Sequence, residues 1–322
     1  MTLVKAINNA LDIKLEDNKN VVIYGEDAGY EGGVFRVTQG LQEKYGEKRV
    51  FDAPLAESGI VGTAVGMAVA GMKPVVEMQF SGFAYPGFNQ IISHVSRMRN
   101  RSRGKYTSSM VIRMPYGGGI KALEHHSESM EAIYAHIPGL KVVIPSTPHD
   151  AKGLLISAIE SEDPVIYMEP KRIYRAVKQE VSEDKFNLDI GKANVVQKGN
   201  DVTVVSYGAM MRDTQKAIAM AKKAGISVEL IDLRTVYPID KETVANSIKK
   251  TGRVISVSEA PTSFGIGAEM MAIANEEAFL NLEAPPKRVS GFDTIFPLPQ
   301  GEHHYLPSPE KIYYEIERTV KF

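Results

Sequence analysis

A glutamate at the head of a run of small residues is the first place where this chain could do chemistry. Ala53-Pro54-Leu55-Ala56-Glu57-Ser58-Gly59 opens a helical stretch in which Gly59, Gly62, Gly66 and Ala70 fall on or near one face. Small side chains there let another element come close, and Glu57 would stand in the first turn at the mouth of that contact. The pattern also allows a plainer role, because a first-turn glutamate favours the helix dipole by about 0.3–1 kcal/mol. A second candidate is the pair His125 and His126, which follows the loop Gly117-Gly118-Gly119. Adjacent histidines point apart on a strand and stand about 100° apart on a helix, so they make poor joint metal ligands. Either could instead be a packed or surface histidine.

Other chemical signals are weaker. The triple glycine lacks the Lys-Ser/Thr of a P-loop, and Gly208-Ala209-Met210 lacks the dinucleotide fingerprint. Arg97, Arg99, Arg101, Arg103 and Lys105 form a basic run with few aromatics for stacking on bases. With 38 Lys and Arg against 39 Asp and Glu, the formal net charge is -1, and bulk charge gives no reason to expect nucleic acid or an anionic membrane. There is no cysteine, which removes disulfides, thiolate nucleophiles and cysteine metal sites and fits a reducing compartment. The N-terminal residues MTLVKAINNALDIKLED lack the pattern of a secretory signal. No run approaches the roughly 20 apolar residues of a membrane span, so a cytoplasmic location is expected.

The elements that must hold these residues alternate between strand and helix. Thr2 can cap a helix whose buried stripe is Leu3, Ala6, Ile7, Ala10 and Leu11, broken at Asn18 to Asn20. Strands are expected at 21–24, 73–80, 109–114 closed by Pro115, 140–144 and 164–168, with helices at 57–71 and 150–162. The polar stretch 172–200 has no sustained period and reads as a crossing between domains. A second alternating series follows, with strands at 201–207, 227–233, 253–258 and around Val289. Its helices are expected at 214–224, 241–251 and 266–280, with a last one from Glu310. The fold class is therefore α/β, with two domains of mostly parallel sheet flanked by helices. The boundaries are 1–175, a linker at 176–200, and 201–322.

In order along the chain stand Gly25-Glu26-Asp27, Leu55 to Gly59, Glu77-Met78-Gln79-Phe80, Gly117 to Gly119, His126-Ser127, Pro138 to Thr147, Asp150 to Leu155 and Asp232 to Val236. This series, over essentially the whole chain, resembles the β subunits of 2-oxo acid dehydrogenases, and most closely those that act on pyruvate. The resemblance implies a pyrimidine-binding domain followed by a transketolase C-terminal domain. It implies an assembly of two α and two β chains, with thiamine diphosphate held between an α and a β. The α chain would grip the diphosphate and Mg²⁺ through a Gly-Asp-Gly motif, which does not occur here.

On that reading Glu57 exchanges a proton with the cofactor's aminopyrimidine ring, and a carboxyl group in a dry pocket suits the task. Phe83 matches the aromatic position against the pyrimidine, with Phe80 as the nearby alternative. His126 would face the reacting carbon and help handle substrate or lipoyl, while His125 receives no role. The resemblance implies a structural K⁺ on the backbone carbonyls of Ala158, Ile159, Ser161 and Asp163. It also implies docking of the acyltransferase core's subunit-binding domain near Asp293 and the carboxylate of Phe322. Branched-chain 2-oxo acids or acetoin are alternative substrates. A surface or binding protein that works without an α partner is the alternative outside enzymology.

Overall fold

The computed structural model describes residues 1–322. They form two compact units, Met1–Tyr116 with Ile133–Ile190, and Gly117–Ala132 with Gly191–Phe322.

The first half contains α1 (Leu3–Asp17), β1 (Val21–Gly25), α2 (Leu41–Tyr45), β2 (Val50–Asp52), α3 (Glu57–Val69), β3 (Lys73–Glu77), α4 (Tyr85–Ser93), α5 (Met98–Arg101), β4 (Val111–Tyr116), α6 (Glu131–Ala135), β5 (Lys141–Val143), α7 (Pro148–Glu160) and β6 (Val165–Pro170). Strands β5, β6, β4, β3, β1 and β2 lie side by side in that order, all parallel. β1, β4 and β6 are buried along their whole length, as expected of a sheet covered on both faces. Thr2 caps α1 through Lys5 N–H, and the expected stripe of Leu3, Ala6, Ile7, Ala10 and Leu11 is buried. Thr147 caps α7, whose first residue is Pro148, so this helix starts two residues before the expected Asp150.

Pro115 does not close β4 but lies inside it, opposite Glu169 on β6. The reason is directional. Arg113 C=O accepts from Met78 N–H, so Arg113 and Pro115 both face the β3 side. The Met78 bond is the last of the β3–β4 ladder, and β3 ends where the proline's missing N–H would have continued it, so the proline stops pairing on that side while β4 runs on beside β6. Beneath this point the sheet buries a charged cluster. Arg113 donates to Glu77 at 2.7 Å and to both oxygens of Glu169 at 2.7 and 3.0 Å, and the Tyr174 hydroxyl adds a bond to Glu169 at 2.6 Å. Burial works against the Arg113 charge, but Glu169 and Glu77 outweigh it and hold the guanidinium protonated. Burial also raises the Glu77 pKa, with Arg113 opposing.

The second unit contains β7 (Asn194–Gln197), β8 (Val202–Ser206), α8 (Met210–Lys223), β9 (Val228–Asp232), β10 (Thr235–Tyr237), α9 (Lys241–Thr251), β11 (Val254–Pro261), α10 (Ile266–Ala278), β12 (Lys287–Gly291), α11 (Glu302–Tyr305) and α12 (Pro309–Val320). Its sheet runs β12, β11, β8, β9, β7 and is parallel except at the β7 edge. That edge strand lies inside the polar stretch where no strand was expected. Only Asn194 among its residues is better than exposed, so it carries little hydrophobic signal. α9 spans the expected residues, with Asp240 capping Thr243 N–H and Gly252 closing the helix at φ +67. The core joins Val204, Leu230, Ile255 and Val257 of the sheet to Met210 and Ile218 of α8 and Ile312 and Ile316 of α12. No helix is long and apolar enough to cross a membrane.

Candidate active site

Glu57 is the first residue of α3 and is partly exposed. Three features fix this helix end. The Tyr24 hydroxyl donates to Ile60 C=O at 2.8 Å, and the Ser58 hydroxyl donates to Pro86 C=O. Gly87 at the start of α4 lies so close that a Cβ would sit 3.1 Å from Glu57 C=O and 3.2 Å from Val61. The outward face of the helix is open at both ends of its glycine row. Gly66 has nothing within 4 Å of its absent side chain and Gly59 meets only Ala56 at 3.6 Å, while Gly62 between them meets the Gln90 side chain at 3.5 Å. A helix head pinned from behind and bare in front can accept a ring or a partner at close range.

Glu26 is a titratable neighbour that the sequence reading did not single out. It follows β1, is 8% exposed, and its Oε1 is buried with no hydrogen-bond partner. Burial raises its pKa, and the charges of Glu57 and then Asp27 raise it further. A buried carboxyl group that holds its proton more firmly beside a neighbouring carboxylate suits proton handling. The Gly25-Glu26-Asp27 motif was the available signal, but burial is not written in it.

Phe80 packs edge-on against both Phe35 and Phe83, at 5.5 and 5.4 Å between ring centres. Lys171 Nζ lies 6.0 Å from the Phe80 ring centre. Phe80 is buried in this cluster, whereas Phe83 is partly exposed. A cavity of about 810 Å³ lined in part by Lys5, Arg36, Arg175 and Lys178 contains none of the expected site residues.

His126 belongs to the second unit. It ends a single 3₁₀ turn, Glu124–His126, and is partly exposed, while His125 is exposed with its Nδ1 3.9 Å from Glu128. The glycine loop before it needs its glycines. Gly117 and Gly119 have φ of +81 and +90, and a Cβ on Gly118 would overlap the Phe296 ring at 2.2 Å. Gly118 N–H donates to Glu259 Oε2 at 2.8 Å, and Lys121 N–H donates to Glu302 Oε2 at 3.0 Å. Behind the loop sits Glu131, fully buried, which accepts from the Tyr207 hydroxyl at 2.8 Å and leaves Oε2 without a partner. Burial pushes its pKa up to about 7, against the hydrogen bonds from its own backbone and Tyr207, and the Glu259 charge adds to the rise.

The remaining expected positions lie apart from these. Asp293 is exposed and accepts from Ser263 N–H at 2.8 Å and from the Ser263 hydroxyl at 2.7 Å, which lowers its pKa. Phe322 is exposed beyond the end of α12. The carbonyls assigned to K⁺ surround the end of α7 and are engaged by the chain itself. Ala158 C=O accepts from Ser161 N–H at 3.3 Å, Asp163 C=O accepts from the Ser161 hydroxyl at 2.8 Å, and Ile159 and Ser161 C=O face the Lys73 ammonium at 3.1 and 3.4 Å. No group of three or more His, Cys, Asp or Glu is placed to hold a metal ion.

Two consecutive parallel-sheet units with a carboxylate at the head of a glycine-rich helix define a transketolase-like chain. The transketolase pyrimidine-binding domain family matches residues 1–177, and the transketolase C-terminal domain family matches residues 191–312. A split-gene transketolase, described as an inactive β4 tetramer, superposes over 100% of this chain and 99% of its own with a TM-score of 0.83. At 22% identity, that likeness concerns the fold. The pyruvate dehydrogenase E1 component subunit beta of Acholeplasma laidlawii is 57% identical over 100% of this chain and 98% of its own length. Those of Mycoplasma genitalium and Staphylococcus aureus are 52% and 51% identical, covering 99% and 100% of this chain and 98% and 99% of their own lengths. The chain belongs to the family of pyruvate dehydrogenase E1 β subunits, oxidoreductase components of the transketolase-like, thiamine-diphosphate-dependent class.

Proposed function

We propose that this chain is the β half of an enzyme that oxidatively decarboxylates pyruvate and passes the acetyl group to lipoyl. The observation that carries the reading is Glu57, fixed at the head of α3 beside the open positions of Gly59 and Gly66, with the buried Glu26 next to it. The residues present suit the pyrimidine end of thiamine diphosphate. Glu57 would hold and exchange a proton at the ring nitrogen, Phe83 would pack on the ring with Phe80 behind it, and Glu26 would keep the local charge poised. When bound, the cofactor supplies a nucleophilic carbon and an electron sink for decarboxylation. The diphosphate and its Mg²⁺ have no candidate ligands among this chain's motifs, and a Gly-Asp-Gly-bearing α chain would supply them in a heterotetramer of two α and two β chains. His126, on its pinned glycine loop, would position substrate or the incoming lipoyl group. Asp293 and the Phe322 carboxylate would meet cationic residues of the acyltransferase's subunit-binding domain. Such an assembly would work in the cytoplasm.

The pyruvate assignment rests on the relatives, since the α chain would build part of the pocket. Turnover of the enzyme reconstituted with its α chain should be much faster on pyruvate than on 3-methyl-2-oxobutanoate. Equal or inverted preference would refute pyruvate as the substrate.

A further inference from the structure

The end of α7 carries a second kind of information, because a side chain stands where the family resemblance implies a metal ion. The last carbonyls of a helix have no intrahelical donor, and the helix dipole places partial negative charge there. Here Lys73, at the start of β3, reaches in. Its Nζ lies 2.7 Å from the Ser109 hydroxyl, 3.1 Å from Ile159 C=O, and 3.4 Å from both Glu160 C=O and Ser161 C=O. The Ser109 hydroxyl in turn donates to Ser161 C=O at 2.6 Å, so donors already crowd that oxygen.

More cations ring the same helix end. Lys14 and Lys185 reach Glu160 at 2.7 and 2.8 Å, Lys141 reaches the Ser161 hydroxyl at 3.0 Å, and Arg99 binds Asp163 at 2.6 Å. Those charges are paired with Glu160 and Asp163, so the Lys73 ammonium is the cation on the carbonyls themselves, and a mobile cation arriving here would have to displace it. Burial depresses the Lys73 pKa, and the charge of Lys14 depresses it further, while Glu160 and Glu162 oppose both. The carbonyl set and the K⁺ expectation therefore do not fit together in this chain.

We propose that the Lys73 ammonium is a tethered monovalent cation that takes the place of potassium on the carbonyls of Ile159, Glu160 and Ser161, and that its removal opens a potassium site there. A primary ammonium and K⁺ are both singly charged and satisfied by several carbonyl oxygens, so one can stand in for the other. The tether keeps the cation in place at any salt composition, and the fold gains independence from K⁺.

The test uses thermal melting of the full chain in KCl, NaCl and tetramethylammonium chloride at equal ionic strength. The parent should melt at the same temperature in all three. Lys73→Met should melt lower in tetramethylammonium and be selectively raised by K⁺, by about 5 °C once K⁺ reaches 100 times the Kd of the opened site. Lys73→Gln gives a second reading should the apolar variant fail to fold. Crystals soaked in rubidium chloride locate the ion, with an anomalous peak on the three carbonyls expected in a variant and not in the parent. A rubidium peak there in the parent, or selective stabilisation of the parent by K⁺, would overturn the proposal. So would a folded variant with no preference among the three salts.

Discussion

Glu131 gives the stability of this chain a signature in pH. Its carboxyl group is fully buried, one oxygen bonded to Tyr207 and the other unpartnered, and its pKa is pushed up to about 7 from the ordinary 4.5. A carboxyl group that binds its proton more tightly when folded favours folding while protonated. That contribution is complete below 4.5 and is lost as pH rises through about 7. At 1.36 kcal/mol per tenfold, the contribution falls by about 2 kcal/mol between about pH 5.5 and about pH 8. Glu131→Gln keeps an acceptor for the Tyr207 hydroxyl and cannot ionise. Relative to the parent, it should therefore gain about 2 kcal/mol on going from the lower pH to the higher, or roughly 3 °C in melting temperature for a chain of 322 residues. Differential scanning calorimetry of both chains at the two pH values measures that difference, and effects of other titrating groups cancel between them. A parent-to-variant difference that stays constant with pH would refute the assignment of a raised pKa to Glu131.

Other expectations follow from the same structure. Arg113→Met leaves Glu77 and Glu169 buried without their partner and should cost about 3–5 kcal/mol, measured by urea unfolding; a loss under about 1 kcal/mol would mean that the cluster relaxes or admits water. Glu57→Gln should assemble normally with the α chain yet lower turnover by about 10²–10⁴-fold, and near-parental turnover would reduce Glu57 to a helix-start charge. His126→Ala should retain the cofactor while slowing acetyl transfer or substrate handling, with stopped-flow separation of the two steps as the check and two unchanged rates as the contrary result. Asp293→Ala combined with deletion of Phe322 should weaken binding to the acyltransferase's subunit-binding domain in surface plasmon resonance, most at low salt, and leave decarboxylation of free pyruvate intact. Unchanged affinity and salt dependence would place the docking surface elsewhere.

Local signals made much of the fold legible. Thr2 and its apolar stripe, Asp240 with Gly252, and the β-branched runs each name an element from a few neighbouring residues. Pro115 misled because a proline's effect on a strand depends on which neighbour its missing N–H would have faced, and that depends on where β3 ends. β7 escaped notice because an exposed edge strand needs no apolar alternation. In the site, Glu57 stood out by its position at a glycine-rich helix head. Glu26 and Glu131 acquire their character from burial and from groups distant in sequence, Glu57 for the first and Tyr207 and Glu259 for the second. The Lys73 contact was illegible for a related reason, since backbone carbonyls leave no side-chain trace and a lysine 86 residues before Ile159 gives no hint of its target.

On the function proposed for it, this chain carries the pyrimidine half of a thiamine diphosphate site and a partner carries the diphosphate half. Calorimetric titration of thiamine diphosphate and Mg²⁺ into the purified chain, and into the same chain assembled with a Gly-Asp-Gly-bearing α chain, tests it most directly. Binding to the chain alone should be weak or undetectable, and binding to the assembly tight. Tight binding to the chain alone would contradict it.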